Sequence, residues 1–150
     1  MRTLMTAAIA LSLMTGSAFA ADSAKVVLDR HVVAMKAGNL DAVMADYADN
    51  ALLLAPAGAV AGLKDYAGLN VLEGKANIRK FFAILTNKEN NPAVKSMTAT
   101  YETKGADTTL MHWKQWPGTA KEVSGTDIWV IRDGKVITQA VLVNPAPAKK

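Results

Sequence analysis

The spacing of apolar residues switches to a strand-like period near Val94, and that switch limits the folds open to this chain. Up to about residue 86 they recur mainly at helical spacing, interrupted by one short apolar run, and from Val94 onward they alternate in the manner of strands. Strands are expected over 94–103, 108–116, 122–132 and 135–144. Gly105-Ala106-Asp107 and Pro117-Gly118 supply turns between them. Asp133-Gly134, set between two apolar runs, is a strong hairpin signal, because both residues tolerate the positive φ of a tight turn. Helices first and an antiparallel meander last argue an α+β fold, with one more strand and one more helix between them.

The helical half divides at Gly38, a natural helix stop. Asp22 or Ser23 can cap a first helix that runs to about Ala37, with Val27, Leu28, His31, Ala34 and Met35 on one stripe. Asn39 can cap a second helix over 40–47, whose buried side carries Leu40, Val43, Met44 and Tyr47. Residues 51–55 read as a short strand ended by Pro56. Residues 57–74, rich in Gly and Ala, read as a loop long enough to rim a pocket. A third helix is expected over 76–86 with Ile78, Phe81, Phe82 and Leu85 inward. Asn90-Asn91-Pro92 breaks the chain again.

The first twenty residues read as a cleavable export signal. Arg2 supplies the positive start, an apolar core follows, and Ala18-Phe19-Ala20 is a small-x-small cleavage site before Ala21. The apolar stretch is too short to span a bilayer comfortably. A periplasmic or secreted protein without a stable membrane anchor follows as the expectation, with one domain over 21–144 and a disordered tail over 145–150. At 51% hydrophobic residues and no cysteine, the chain can build a core without disulfides, and thiolate chemistry is excluded. The net charge of +4 is scattered and forms no basic stripe, so no nucleic-acid partner is expected.

The late strands are apolar on both faces. Helices can cover one face, and a second copy of the chain is expected to cover the other, giving a homodimer with Met111, Trp113, Ile128 and Val130 in the interface.

The run Gly38-Asn39-Leu40-Asp41 to Tyr47-Ala48-Asp49-Asn50-Ala51, followed by Gly74-Lys75-Ala76-Asn77-Ile78-Arg79-Lys80-Phe81-Phe82, resembles the front half of the nuclear transport factor 2-like superfamily. That superfamily includes SnoaL-like proteins and ketosteroid isomerases. The resemblance implies a cone-shaped pocket made by three N-terminal helices packed on a curved, mostly antiparallel sheet. It implies little about activity, since the fold hosts enzymes and binding proteins alike. Ketosteroid isomerases place a carboxylate base just before a proline on the first strand. Here that position, in Leu53-Leu54-Ala55-Pro56, is Ala55, so isomerisation of that type is not expected. Their first-helix tyrosine, seven residues before the glycine stop, is matched by His31. Their protonated aspartic acid on the third meander strand is matched by Asp127, and the supporting tyrosine of the second helix by Tyr47.

These matches set the candidate residues. His31 is either a core histidine bonded to Tyr47 or a ligand-facing donor and acid/base group, its ordinary pKa lying near 6.5. Asp127 among apolar neighbours is costly to bury unless it is protonated or paired. It is either a structural partner or a donor at the pocket floor. His112 on the neighbouring strand could pair with Asp127, as a polar bridge or a catalytic dyad. Gln139 can add a polar group to the same face, and Lys114 is expected near the mouth. Phe81 and Trp129 are expected among the apolar groups at the ligand. His31, His112 and Asp127 could form a metal set, but their spacing is not local, and neither a metal nor a cofactor is assigned. Trp113, Trp116 and Trp129 read as core or interface. Three functions stay open: an exported protein binding a small apolar ligand, a SnoaL-like enzyme using His and Asp acid/base chemistry, and a dimeric scaffold with a filled cone.

Overall fold

The computed structural model describes residues 23–56, 69–87, 89 and 91–144. The expected export signal, the terminal tail and most of the expected loop 57–74 lie outside the described residues.

Helix α1 (Ala24–Ala37) begins where the Ser23 hydroxyl accepts from the Val26 N–H. It ends at Gly38, whose φ of 68° turns the backbone left-handed so that its N–H reaches the carbonyls of Ala34 and Met35. Helix α2 (Leu40–Ala45) is capped by the Asn39 side chain, which accepts from Ala42 N–H. Strand β1 (Tyr47–Pro56) follows, then β2 (Leu69–Glu73), α3 (Lys75–Leu85) and a short α4 (Asn91–Lys95). The meander is β3 (Thr98–Lys104), β4 (Thr108–Gln115), β5 (Val123–Arg132) and β6 (Lys135–Val143). Asp133 and Gly134 both carry positive φ, 50° and 71°, as the tight β5–β6 hairpin requires.

The six strands form one curved, open sheet in the order β2-β1-β6-β5-β4-β3. Only the β1–β6 pair is parallel. The helices pack on its inner face and close the core there. Val27, Leu28, Met44, Leu53, Ile78, Phe82 and Trp129 are buried almost completely. Each such side chain contributes about 1.5–3 kcal/mol relative to exposure.

Four local expectations are corrected. Tyr47 opens β1 and does not close α2. A shift in the β1–β6 register between Tyr47 and Leu52 brings Tyr47 opposite Val136, with its ring in the core. Part of the expected loop is strand β2, which supplies hydrogen-bond partners to the free edge of β1. Val94 belongs to α4 and not to a strand, and it enters the core from there, so β3 starts at Thr98. The expected interface set is split. Asp127 is buried on the inner face and pairs with Met111, which puts Met111 and Trp113 inside and Ile128 and Val130 outside. The outer face instead carries a row of Val71, Leu54, Ala140, Ile128 and Leu110 across five neighbouring strands.

Candidate functional site

The inner face of the sheet and helices α1 and α3 surround a small cavity of about 70 Å³ that opens to solvent. Its walls are apolar: Met35 from α1, Phe81 and Phe82 from α3, Met111 from β4, Val141 from β6, and Met97 just before β3. Five side chains bring hydrogen-bonding groups, His31, Trp113, Gln115, Asp127 and Gln139. Leu85 and Gln115 are the half-buried members and stand nearest solvent, while the rest are buried. No lysine or arginine lines the pocket among the described residues.

Asp127 is held by two neighbours. The Trp113 indole N–H donates to its Oδ1 at 2.8 Å, and the Gln139 amide N–H donates to its Oδ2 at 2.8 Å. The Tyr47 hydroxyl in turn donates to the Gln139 Oε1. This chain crosses β4, β5, β6 and β1, four adjacent strands, so the sheet itself sets its spacing. Gly125 makes the first link possible. It lies opposite Trp113, and a Cβ there would collide with the indole and with the Leu142 carbonyl. Without that Cβ the indole lies across β5 and reaches Asp127 two residues on. Burial pushes the Asp127 carboxyl up to about 7, against the pull of its two N–H donors. Each oxygen accepts one of these bonds, and below about pH 7 the protonated carboxyl also carries an O–H able to donate.

His31 lies deep in the pocket wall, among Trp129, Phe82 and Tyr47, with ring centroids 4.9, 5.3 and 6.0 Å away in edge-to-face arrangements. The expected bond to Tyr47 is not made, because the tyrosine hydroxyl is directed to Gln139. The His31 Nδ1 is buried without a partner among the described residues. Burial alone drives the ring's pKa down to about 3, so the imidazole is neutral near pH 7.

The other candidates divide. Phe81 and Gln139 line the pocket, whereas Tyr47 and Trp129 stand behind it, fully buried. His112 does not meet Asp127. It is exposed on the outer face, 2.9 Å from the Thr126 hydroxyl and 3.9 Å from Glu102. Lys114 shares that outer face and pairs with Glu122 at 3.0 Å, away from the pocket mouth. The pocket residues missed from sequence are Trp113, Gln115, Met97 and Met111, whereas Met35 lies where its helical stripe placed it. A tryptophan cross-strand from a glycine was the one available signal for Trp113. At the strand-one position the buried Ala55 leaves no base.

A cone of helices on a curved, mostly antiparallel sheet, with polar groups at its floor, defines a nuclear transport factor 2-like protein. Within that class the chain belongs to the SnoaL-like domain family, whose match spans residues 28–139. Its solved structural relatives are distant. One is a nuclear transport factor 2-like protein of unknown function from Burkholderia xenovorans, 18% identical, with a TM-score of 0.60 over 83% of this chain and 86% of that one. Another is a candidate isomerase from Bacillus subtilis, 17% identical, with a TM-score of 0.61 over 81% and 86%. A third is TerC, crystallised with polyporic acid, 14% identical, with a TM-score of 0.56 over 80% and 90%. These likenesses establish the shared fold. No curated protein matches the chain.

Proposed function

We propose that this protein binds a small, largely apolar molecule in the cone, with Asp127 and His31 as the polar groups that orient it. The observation that carries the reading is a small cavity with apolar walls and one buried, hydrogen-bonded carboxyl at its floor. Such a pairing of apolar volume with a few convergent polar groups is the usual form of a small-molecule site. A residual cavity of about 70 Å³ at the mouth of the cone favours binding over a scaffold whose cone is completely filled by its own side chains. TerC, of the same fold, was crystallised with a small molecule, polyporic acid.

An enzymatic reading is kept alive by one observation. Asp127, raised to about 7, is poised to exchange a proton near neutral pH, while neutral His31 is too weak a base and His112 lies outside the pocket. In that reading Asp127 carries the acid/base step and His31 orients the substrate. Export and dimerisation complete the proposal. The leader-like first twenty residues support export. The apolar outer row supports a dimer packed sheet to sheet, with Ala140 and Ile128 at its centre.

The test is thermal-shift screening of neutral ring compounds against the wild type, Val141→Trp and His112→Ala. A ligand of the folded state raises the melting temperature. The shift should vanish in Val141→Trp, which fills the pocket, and persist in His112→Ala. Shifts that survive Val141→Trp would place binding elsewhere.

A further inference from the structure

The polar inventory of the pocket narrows the ligand further, on the reading that the pocket binds one. Its two best-placed donors are already used: the Trp113 and Gln139 N–H groups point at Asp127. Both partners are neutral, so the carboxylate has donors but no countercharge. Its neighbours from the other packed elements do not supply one. The His31 imidazole on α1 is neutral, and the Tyr47 phenol on β1 is kept protonated, its pKa pushed well up by burial and by the Asp127 charge. No lysine or arginine lines the cavity among the described residues. An ionised carboxyl buried without a cation is costly, and a cation brought within hydrogen-bond distance removes much of that cost. An anionic ligand would meet the opposite situation, two like charges in a poorly solvated space with no basic side chain to separate them.

We propose that the pocket selects a small organic cation, an amine carried on an apolar ring or chain, whose N–H groups bond to Asp127 while the apolar part lies against Phe81, Phe82 and the methionines. Each Asp127 oxygen has accepted one bond and keeps capacity for a second. The three methionines give a wall that adapts to ring shape without demanding one outline. Organic acids are rejected by the same arrangement, and neutral alcohols are bound less well than amines of equal size.

The experiment is calorimetric titration of the full chain with three matched single-ring probes: benzylamine, benzyl alcohol and benzoate. At pH 8 the amine should bind at least about tenfold more tightly than the alcohol, which is about 1.4 kcal/mol, and the acid should bind least. Between pH 6 and pH 8 the affinity for the amine should rise by about tenfold as Asp127 ionises, while that for the alcohol changes little. His31 and Tyr47 both stay neutral over that range, so neither neighbour of Asp127 contributes to the change. Asp127→Asn should remove the advantage of the amine and retain the alcohol. Should that variant fail to fold, the pH series on the wild type reads the same charge. Binding of the acid as tight as the amine, or an amine advantage indifferent to both pH and Asp127→Asn, would overturn the inference while leaving a ligand pocket. No binding by any of the three would overturn the pocket reading and this inference with it.

Discussion

Replacing Asp127 by Asn should alter the pH dependence of stability more than stability itself. The new amide keeps the hydrogen-bond chain closed if the chain reverses direction. Its oxygen accepts from Trp113, its NH2 donates to the Gln139 carbonyl, and the Gln139 NH2 turns to the Tyr47 oxygen. The pH-independent cost is then about one hydrogen bond, on the order of 1 kcal/mol. The titration does not survive. Asp127 moves from an ordinary 3.8 to about 7 on folding, and at 1.36 kcal/mol per pH unit that gap corresponds to about 4 kcal/mol. Because the folded value is the higher one, the folded state binds more protons across the interval. Its contribution is full below about pH 4 and is lost as pH rises through 7. His31 runs the other way, from 6.5 to about 3. Its contribution is full above pH 6.5 and is lost as pH falls towards 3.

Between these limits the two groups offset each other. The folded chain holds a proton on Asp127 and none on His31, while the unfolded chain holds one on His31 and none on Asp127. The wild type should therefore show little net slope from this pair between about pH 4 and 6.5. The variant keeps only the slope of His31 and should lose about 3 kcal/mol from that ring as pH falls across the same interval. Urea denaturation of both proteins at about pH 4.5, 6 and 8 reads the difference directly, because the ion-paired surface carboxylates Asp29, Glu102 and Glu122 are common to both. The gap should shrink or reverse by about 3–4 kcal/mol as pH rises. A gap that stays constant from pH 4.5 to 8 would refute the assignment of a buried, elevated carboxyl.

Three further outcomes are expected. Gly125→Ala should cost about 1–3 kcal/mol in denaturant unfolding, as overpacking does, and should change the tryptophan emission, because the new methyl displaces the Trp113 indole from Asp127; unchanged emission would disconnect Gly125 from the site. His31→Phe should be neutral or stabilising at pH 7, since it removes an unpartnered buried nitrogen from an aromatic cluster. It should also move the midpoint of acid unfolding to lower pH, and a loss above about 2 kcal/mol at pH 7 would show that the ring nitrogen is satisfied. Ile128→Glu, on the outer row, should convert a dimer to a folded monomer in sedimentation and leave the melting curve of the monomer largely unchanged. A monomeric wild type at micromolar concentration would remove the dimer.

Much of this fold could be read from the chain because its signals are local. Ser23, Gly38, Asn39 and Asp133-Gly134 act through their own backbone geometry, and each marks the boundary expected of it. The boundaries that moved depend on distant partners. Tyr47 fits the helical stripe of α2, but the register shift against β6 places it in a strand. Residues 69–73 have no strong strand pattern of their own and are strand because β1 has an edge to pair. His31 and Asp127 were legible as inward residues, one from a helical stripe and the other from a carboxyl amid apolar alternation.

The reversal of β4 has the larger chemical consequence. A strand that is apolar on both faces offers two orientations differing by one residue, and alternation alone does not choose between them. Pairing of Met111 with Asp127 makes the choice. Had His112 faced inward, the carboxyl would sit beside a group able to take and return its proton, and the pocket would hold a dyad. With Trp113 there instead, Asp127 is held by an N–H that cannot accept a proton at any accessible pH. The carboxyl is thereby oriented by two N–H donors without a charged partner, and burial leaves its proton to be lost only near pH 7.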